Sequence, residues 1–369
     1  VSKELPVIIH TTAKTPNPYE FGVFLLSRQK GLQMTIKAGV YGASGYAGQE
    51  LIDILNHHPQ MTVNFAVSDS YAGQSVNGNG LTYISQAEAD LNTVDLVFLC
   101  TPHGASAPLA AMSLDAGAKV VDLSADLRLK TADAFQQWYQ QSHPVPALLP
   151  TPYGLPELNR QELTQSQTEI IANPGCYPTS AILALAPLAK AGALKSDAPI
   201  IVDAKSGVSG AGRNPKPGTH FVEVFGDLKP YSIGREHRHT GEIEQELHAI
   251  DPNIGSIIFS PHLLPVDRGL LSTIYAPLKD GWDEAAIRAL FEDQYTHEPF
   301  VKLLPAVQTA RLKDAARTDL CVLSLTLATP DMLIIVSAID NLRKGAASQA
   351  VQNANLLFNL PETTGLSEK

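Results

Sequence analysis

A chain of 369 residues, 44% hydrophobic and only 17% charged, has the length for two domains with substantial cores and lacks the composition of a disordered protein. Its formal net charge of −10, with no basic stripe, makes neither DNA nor RNA an expected partner. Three cysteines without a CxxC pair or a zinc-type spacing fit a reducing cytoplasm better than a disulfide framework.

Residues 1–33 carry two short apolar pieces, far below the roughly 18–20 residues of a membrane span. They read as an N-terminal extension ahead of Met34, with no membrane span and no secretory signal expected. Residues 35–41 then read as a strand and 42–48 as a glycine-rich turn. A helix follows over 49–56, with Leu51, Ile52 and Leu55 on its apolar face, and Pro59 stops it. Strands at 63–67, 94–100 and 119–123 alternate with a helix at 105–116, the pattern of a mostly parallel sheet.

Residues 130–161, with Trp138, Tyr139, Tyr153 and several prolines, read as a connecting segment that crosses the active-site side. Residues 170–172 lead to a second turn at Cys176, and a helix is expected over 181–194. Strand character recurs at 199–204, 256–260, 272–277, 321–328 and 333–339. A helix is expected at 282–295, and a turn and long helix over 341–359, packed back on the first domain. The expected division is an extension at 1–33, a nucleotide-binding domain at 34–175, a catalytic and oligomerisation domain at 176–337, and a returning C-terminal helix at 338–369.

Gly42, Gly45 and Gly48 follow a strand and open a helix. Missing side chains let a diphosphate approach the backbone, with its charge facing the helix N-terminus. The spacing is GxxGxxG rather than GxGxxG, so the surrounding strand–helix units carry the inference of dinucleotide binding. The next strand ends Val67-Ser68-Asp69-Ser70-Tyr71. Asp69 suits a ribose diol and hence NAD; Ser68 and Ser70 suit a 2′-phosphate and hence NADP; no arginine in this stretch decides between them.

Cys176, in Pro174-Gly175-Cys176-Tyr177-Pro178-Thr179, lies where a helix begins, and a helix N-terminus favours thiolate. It is either a nucleophile for acyl transfer or a small buried thiol in a tight turn. His237 and His239 stand two residues apart near Glu242. A base for the thiol is at least as good a reading as a metal set, and an ordinary polar segment before a helix is the plain alternative. Arg128, Lys205, Arg213 and Arg268 sit beside turns and are candidate donors to a carboxylate or phosphate. Cys100 and Cys321 close or open apolar runs and read as core.

Together the 42–48 turn, the Cys176 motif, the run Ser206-Gly207-Val208-Ser209-Gly210-Ala211-Gly212-Arg213, the His237-Arg238-His239 stretch and Asp340 to Ala347 resemble the semialdehyde dehydrogenase family, in its arginine-biosynthetic branch. The resemblance runs from about Met34 to near the C-terminus. It implies a Rossmann dinucleotide-binding domain plus an α/β catalytic domain with a mixed sheet, assembled as a homodimer or homotetramer. It implies NADPH-dependent reduction of N-acetyl-gamma-glutamyl phosphate to N-acetyl-L-glutamate 5-semialdehyde and phosphate, through a thioester on Cys176. His237 would be the acid/base. Arg128, Ser206, Gly207, His239 and Glu242 would bind substrate. Gly42, Ser44, Gly45, Tyr46, Gly48, Ser68, Ser70, Asn341 and Gly345 would bind NADP, and no catalytic metal is implied. Aspartate-semialdehyde dehydrogenase and the lysine-pathway reductase are the alternatives within the family. A non-catalytic dinucleotide-binding regulator and a thiol hydrolase are those outside it.

Overall fold

Six parallel strands form the first sheet of the computed structural model, which describes residues 35–78 and 80–367; the expected extension at 1–33 lies outside the described residues. The elements are β1 (Ile36–Tyr41), α1 (Tyr46–Asn56), β2 (Met61–Val67), β3 (Tyr83–Ile84), β4 (Leu96–Leu99), α2 (Ser106–Asp115), β5 (Lys119–Asp122), α3 (Ala132–Tyr139), α4 (Pro156–Leu163) and β6 (Ile170–Ala172). The strand order is β3-β2-β1-β4-β5-β6, with every pairing parallel. The order reverses direction beside β1, so a crevice opens at the carboxyl ends of β1 and β4, next to the glycine turn. Leu51, Ile52 and Leu55 of α1 are buried on the core side, as the apolar periodicity predicts.

Residues 130–161, read from the sequence as a connection with no helix assigned, hold α3 and α4, and Tyr139 from this segment lines the cavity beside Cys176. The prolines and polar residues there punctuate helix starts: Thr131 caps α3 by accepting from the Ala134 N–H at 3.1 Å, and Pro156 occupies the first turn of α4.

The rest of the chain adds α5 (Cys176–Lys190), β7 (Ile200–Gly207), α6 (Phe221–Val224), β8 (Lys229–Pro230), α7 (His239–Ile250), β9 (Ile257–Leu264), β10 (Leu270–Pro277), α8 (Glu284–Tyr295), β11 (Val301–Leu303), α9 (Leu312–Ala315), β12 (Cys321–Thr329), β13 (Met332–Ile339) and α10 (Ala347–Leu357). The second sheet is mixed, in the order β11-β12-β13-β10-β7-β9-β8. Along β7 and β9 buried and exposed residues alternate: Val202 and Phe259 face the core, while Ile201 and Ile258 face outward. One face is therefore packed and the other open.

α5 is the hub. Every residue from Tyr177 to Ala189 is buried, because the helix lies against β10 and β13 and is flanked by α7 and α8. It begins at Cys176, five residues before the expected start at 181. Pro178 is the reason: in the first turn a missing N–H removes no intrahelical bond, so the proline starts the helix instead of delaying it. Burying each of its leucines and isoleucines contributes about 1.5–3 kcal/mol.

α10 is buried along its whole length despite its glutamines and asparagines. Most of its amide groups are paired, while Gln349 Oε1 and Asn353 Oδ1 are buried without a hydrogen-bond partner among the described residues. Asn353 Nδ2 donates to Gly154 O and to Asn173 Oδ1, both at 2.9 Å, and Asn355 Oδ1 pairs with His58 Nε2 at 3.1 Å. This helix packs on α1, α4 and β5, and through Asn173 it touches the segment that delivers Cys176.

Candidate active site

Cys176 is the first residue of α5, with Gly175 as the N-cap. Gly175 is held from three sides. Its N–H donates to Glu242 Oε1 at 2.8 Å. A Cβ on it would fall 2.6 Å from His239 Nε2 and 2.9 Å from Arg128 Nη1, so only glycine lets these two side chains close on the thiol turn. On the far side, a Cβ on Gly345 would fall 2.8 Å from Cys176 Cβ, which puts the 341–346 turn directly against the same residue.

A cavity of about 710 Å³ opens here, with Cys176, His237, His239, Arg128 and Ser206 in its wall. The residues expected at the reacting end are thus brought together from the first sheet, α5, β7 and the start of α7. The histidine pair straddles the helix boundary. His239 is the first residue of α7, and its N–H donates to His237 Nδ1 at 3.1 Å. The rings are 4.8 Å apart and both meet the edge of Tyr177.

Burial dominates the electrostatics. It pushes the Cys176 thiol up to about 11, although Arg128 and the backbone N–H of Tyr177 pull the other way. The expectation that the helix N-terminus alone would favour thiolate is therefore corrected, because desolvation outweighs the N-terminal field. Burial, with Arg238, lowers His237 to about 4, and burial lowers His239 far below its ordinary value, with His237, Arg128 and Arg238 adding to the effect. Both imidazoles are neutral near pH 7, and the buried His239 Nδ1 has no hydrogen-bond partner among the described residues.

Glu242 and Gly207 are not at the cavity wall. Glu242 Oε1 accepts from the Tyr153 hydroxyl and the Gly175 N–H, both at 2.8 Å, and Oε2 pairs with Arg128 Nη1 at 3.5 Å. It braces the thiol turn from beneath. Gly207 packs where a Cβ would lie 2.8 Å from the Arg268 backbone. Removing one partner of a buried ion pair costs about 3–5 kcal/mol. Glu242→Gln, which leaves the Arg128 charge uncompensated, is expected to lower stability on that scale in urea unfolding, and an unchanged midpoint would show that the pair is no brace.

Of the other cations, Arg268 pairs with Glu50 and Asp340, and Lys205 pairs with Asp203, so both serve the frame. Arg128 also donates to Asn173 O at 2.9 Å and Leu123 O at 2.8 Å, which fixes its plane beside the cavity. Tyr177 of the Cys176 motif belongs to this arrangement, as do Tyr153 and Tyr231, which no motif marks. The Tyr231 hydroxyl donates to the Tyr177 hydroxyl at 3.3 Å. Only Tyr177 carries a sequence signal, its place beside Cys176 in the first helical turn.

The glycine turn lies between β1 and α1. Gly42 has φ +69°, and a Cβ there would fall 2.3 Å from Cys100 O, so turn and close approach both require glycine. Gly45 is the N-cap of α1 and makes no side-chain cap bond, and the first turn, which holds Tyr46 and Gly48, has no acidic residue. Its backbone donors suit an anion. Ser44 Oγ and Ser68 Oγ are 2.7 Å apart, and Ser70 is exposed beyond them. Asp69 turns Oδ1 to the Gln86 N–H at 2.9 Å. Asn341 accepts from the Gly269 N–H at 2.7 Å and donates to Ser209 Oγ at 2.9 Å, which ties the late turn to the loop after β7. Cys321 is buried in the second core and Cys100 packs against the first.

Two family models match, the semialdehyde dehydrogenase NAD binding domain over residues 37–166 and the semialdehyde dehydrogenase dimerisation domain over 176–341. N-acetyl-gamma-glutamyl-phosphate reductase from Pelotomaculum thermopropionicum is 45% identical over 345 residues, covering 90% of this chain and 98% of the relative. The enzyme of that name from Desulfotalea psychrophila is 42% identical over 341 residues, with the same coverage. Among solved structures, aspartate semialdehyde dehydrogenase II from Vibrio cholerae superposes with a TM-score of 0.69 at 20% identity, covering 88% of this chain and 99% of that one. Aspartate semialdehyde dehydrogenase with NADP from Candida albicans superposes with a TM-score of 0.65 at 15% identity, with the same coverage. These structures share the fold. With both domain models matched and relatives above 40% identity along nearly their full length, this chain belongs to the semialdehyde dehydrogenase family, in its N-acetyl-gamma-glutamyl-phosphate reductase branch.

Proposed function

We propose that the chain reduces N-acetyl-gamma-glutamyl phosphate to N-acetyl-L-glutamate 5-semialdehyde and phosphate with NADPH, through a thioester on Cys176, in arginine biosynthesis. The observation that carries this is the single cavity with a cysteine at a helix N-terminus, two neutral imidazoles and a fixed arginine in its wall. Cys176 Sγ attacks the acyl carbon, the C–O bond to phosphate breaks, and phosphate leaves. Its proton goes to an imidazole, since the thiol does not ionise unaided near neutral pH. Arg128 offers positive charge to the leaving phosphate or to the substrate carboxylate, with Ser206 beside it. NADPH, when bound, supplies the hydride that reduces the thioester carbon. His237 then gives a proton at the hemithioacetal oxygen, takes it back as the C–S bond breaks, and passes it to the departing Sγ, which restores both the thiol and the neutral imidazole. A second assignment has its own support: His239 is the imidazole that abuts Gly175, and its Nδ1 is unpartnered.

The donor set fits NADP. Gly42, Ser44, Gly45, Tyr46 and Gly48 would hold the diphosphate, Ser68 and Ser70 the adenosine ribose end, and Asn341 and Gly345 the nicotinamide side. The division at 34–175, 176–337 and 338–369 is the domain reading we adopt; the two sheets support the first boundary and the contacts of α10 with α1 the return of the C-terminal helix, while the second boundary falls within β13. Among the described residues no helix is long and apolar enough to cross a membrane. We assign the reaction to the cytoplasm, where a reducing medium keeps Cys176 free. A homodimer or homotetramer would cover the open face of the second sheet, and the exposed Phe221 and Val222 of α6 with Phe225 at its end are apolar surface of the same kind.

A panel run in the reverse direction tests the reading. With phosphate and NADP, N-acetylglutamate semialdehyde is expected to be oxidised faster than aspartate semialdehyde or a carrier-linked lysine-pathway analogue. Activity without phosphate, or a preference for either other aldehyde, would overturn it.

A further inference from the structure

The first domain has a charge deficit at the place where NADP differs from NAD. Between Lys37 and Lys119 the sequence holds neither lysine nor arginine. That interval includes the glycine turn, the end of β2 and the crevice between β1 and β4. Where β2 ends, the available groups are Ser68, Asp69 and Ser70, and the single charge among them is negative. Two hydroxyls beside a carboxylate are a poor site for a dianionic phosphate, since they offer donors but no counter-charge.

A cation does reach this corner, from the other domain. After β7 the chain makes a short 3₁₀ turn over Val208–Ala211, and Gly212 takes φ +85°. The reversal sends Arg213 back across to the glycine turn. Its Nη1 donates to Ser44 O at 2.6 Å, and its guanidinium carbon sits 4.8 Å from the centre of the Tyr71 ring. Ser44 Oγ meets Ser68 Oγ at 2.7 Å in the same place. The loop is anchored at its base, where Asn341 donates to Ser209 Oγ. Ser44 O is the one hydrogen-bond acceptor Arg213 meets among the described residues, so the rest of its five-donor fork is uncommitted. Stacking on Tyr71 holds the plane of that fork without using a donor.

We infer that Arg213 is the determinant of NADP over NAD: the catalytic domain supplies the guanidinium that pairs with the cofactor's 2′-phosphate, beside Ser44, Ser68 and Ser70. This rests on the NADP reading above and names the residue responsible for it. It also gives Asp69 a place. With its Oδ1 on the Gln86 N–H, the carboxylate is tied to the neighbouring backbone, and Arg213 supplies the charge that a phosphate near it needs. Because the cation belongs to the second domain, a 2′-phosphate would join the two domains across the crevice, which a plain ribose cannot do.

The test separates cofactor choice from catalysis by using fragments that cannot react. Adenosine 2′,5′-bisphosphate and adenosine 5′-monophosphate differ only in the 2′-phosphate. Calorimetric titration of the full chain with each is expected to show wild type favouring the bisphosphate. Arg213→Ala should weaken the bisphosphate by about 10- to 100-fold, the scale of losing a hydrogen bond to a charged group, and leave the monophosphate within about twofold. Arg213→Lys should keep part of the preference, and that part should shrink as salt is raised. Equal weakening of both fragments in Arg213→Ala, or no weakening of either, would overturn the assignment while leaving the NADP reading intact. A wild type that does not favour the bisphosphate would overturn the NADP reading itself and the assignment with it. Circular dichroism on both variants checks that the loop change has not unfolded the chain, and Arg213→Lys decides the matter if Arg213→Ala fails to fold.

Discussion

Cys176→Ser is expected to lower turnover by roughly 10³–10⁶-fold, the scale seen when a catalytic nucleophile is removed, while the fold and NADPH binding stay intact. The hydroxyl fits the space, since it is slightly smaller than the thiol and the position is only half-buried. What is lost is chemical. A serine alkoxide is harder to form than a thiolate, and its oxygen ester is a poorer hydride acceptor than a thioester. Mass spectrometry of the wild-type protein mixed with acyl phosphate, NADPH withheld, should find one acyl group, on the peptide that carries Cys176. Acylation elsewhere in a fully active preparation, with Cys176 unmodified, would rule out the nucleophile assignment.

The second large effect concerns the imidazoles. His237→Asn is expected to slow the chemical step by roughly 10²–10⁴-fold, the usual contribution of a general acid/base, with NADPH affinity nearly unchanged. His239→Asn should cost less. The sign of the pH dependence follows from burial. His237 is lowered to about 4, so in the free enzyme it stays neutral down to that pH and is protonated only below it. Cysteine acylation that uses it as base should therefore lose rate as pH falls through about 4, well below the ordinary histidine range near 6.5. The thiol, raised to about 11, gives the contrast. If Cys176 ionised without a base, acylation would climb about tenfold per pH unit toward 11; with a base it levels off above the histidine limb. Rapid-quench acylation across pH for wild type and both variants reads this directly. A flat profile lost in His239→Asn but kept in His237→Asn would exchange the two roles.

The parallel first sheet and its glycine turn were legible in the sequence, because fully buried parallel strands write themselves as short apolar runs separated by turn residues. Leu96 to Leu99 is of that kind. The start of α5 was not, because Pro178 is a stop signal inside a helix and a neutral one in its first turn, and sequence alone does not say which turn it occupies. The helices at 132–139 and 156–163 were missed for a related reason, since their prolines and polar residues are start signals that also mark loops. At the site, residue types carried the thiol, the histidines and Arg128. The brace role of Glu242 was not readable, because it depends on Tyr153 and Gly175 arriving from distant segments. The ionisation of Cys176 went the other way from the expectation for the same reason: local sequence shows the helix N-terminus, while the depth of burial is set by the whole second core.

That raised thiol bears on how long the protein lasts. Peroxide and alkylating metabolites attack thiolate, and sulfenic acid is the first step of damage that ends irreversibly in sulfonic acid. Burial raises the Cys176 thiol above an ordinary one, so at pH 7 and equal access less of it is thiolate. On the proposed mechanism Cys176 would rest mainly as the thiol between turnovers and would become reactive when the neighbouring imidazole takes the proton with substrate in place. A half-buried nucleophile with an adjacent base would in this way be armed by its own substrate, with little thiolate open to oxidants in the meantime.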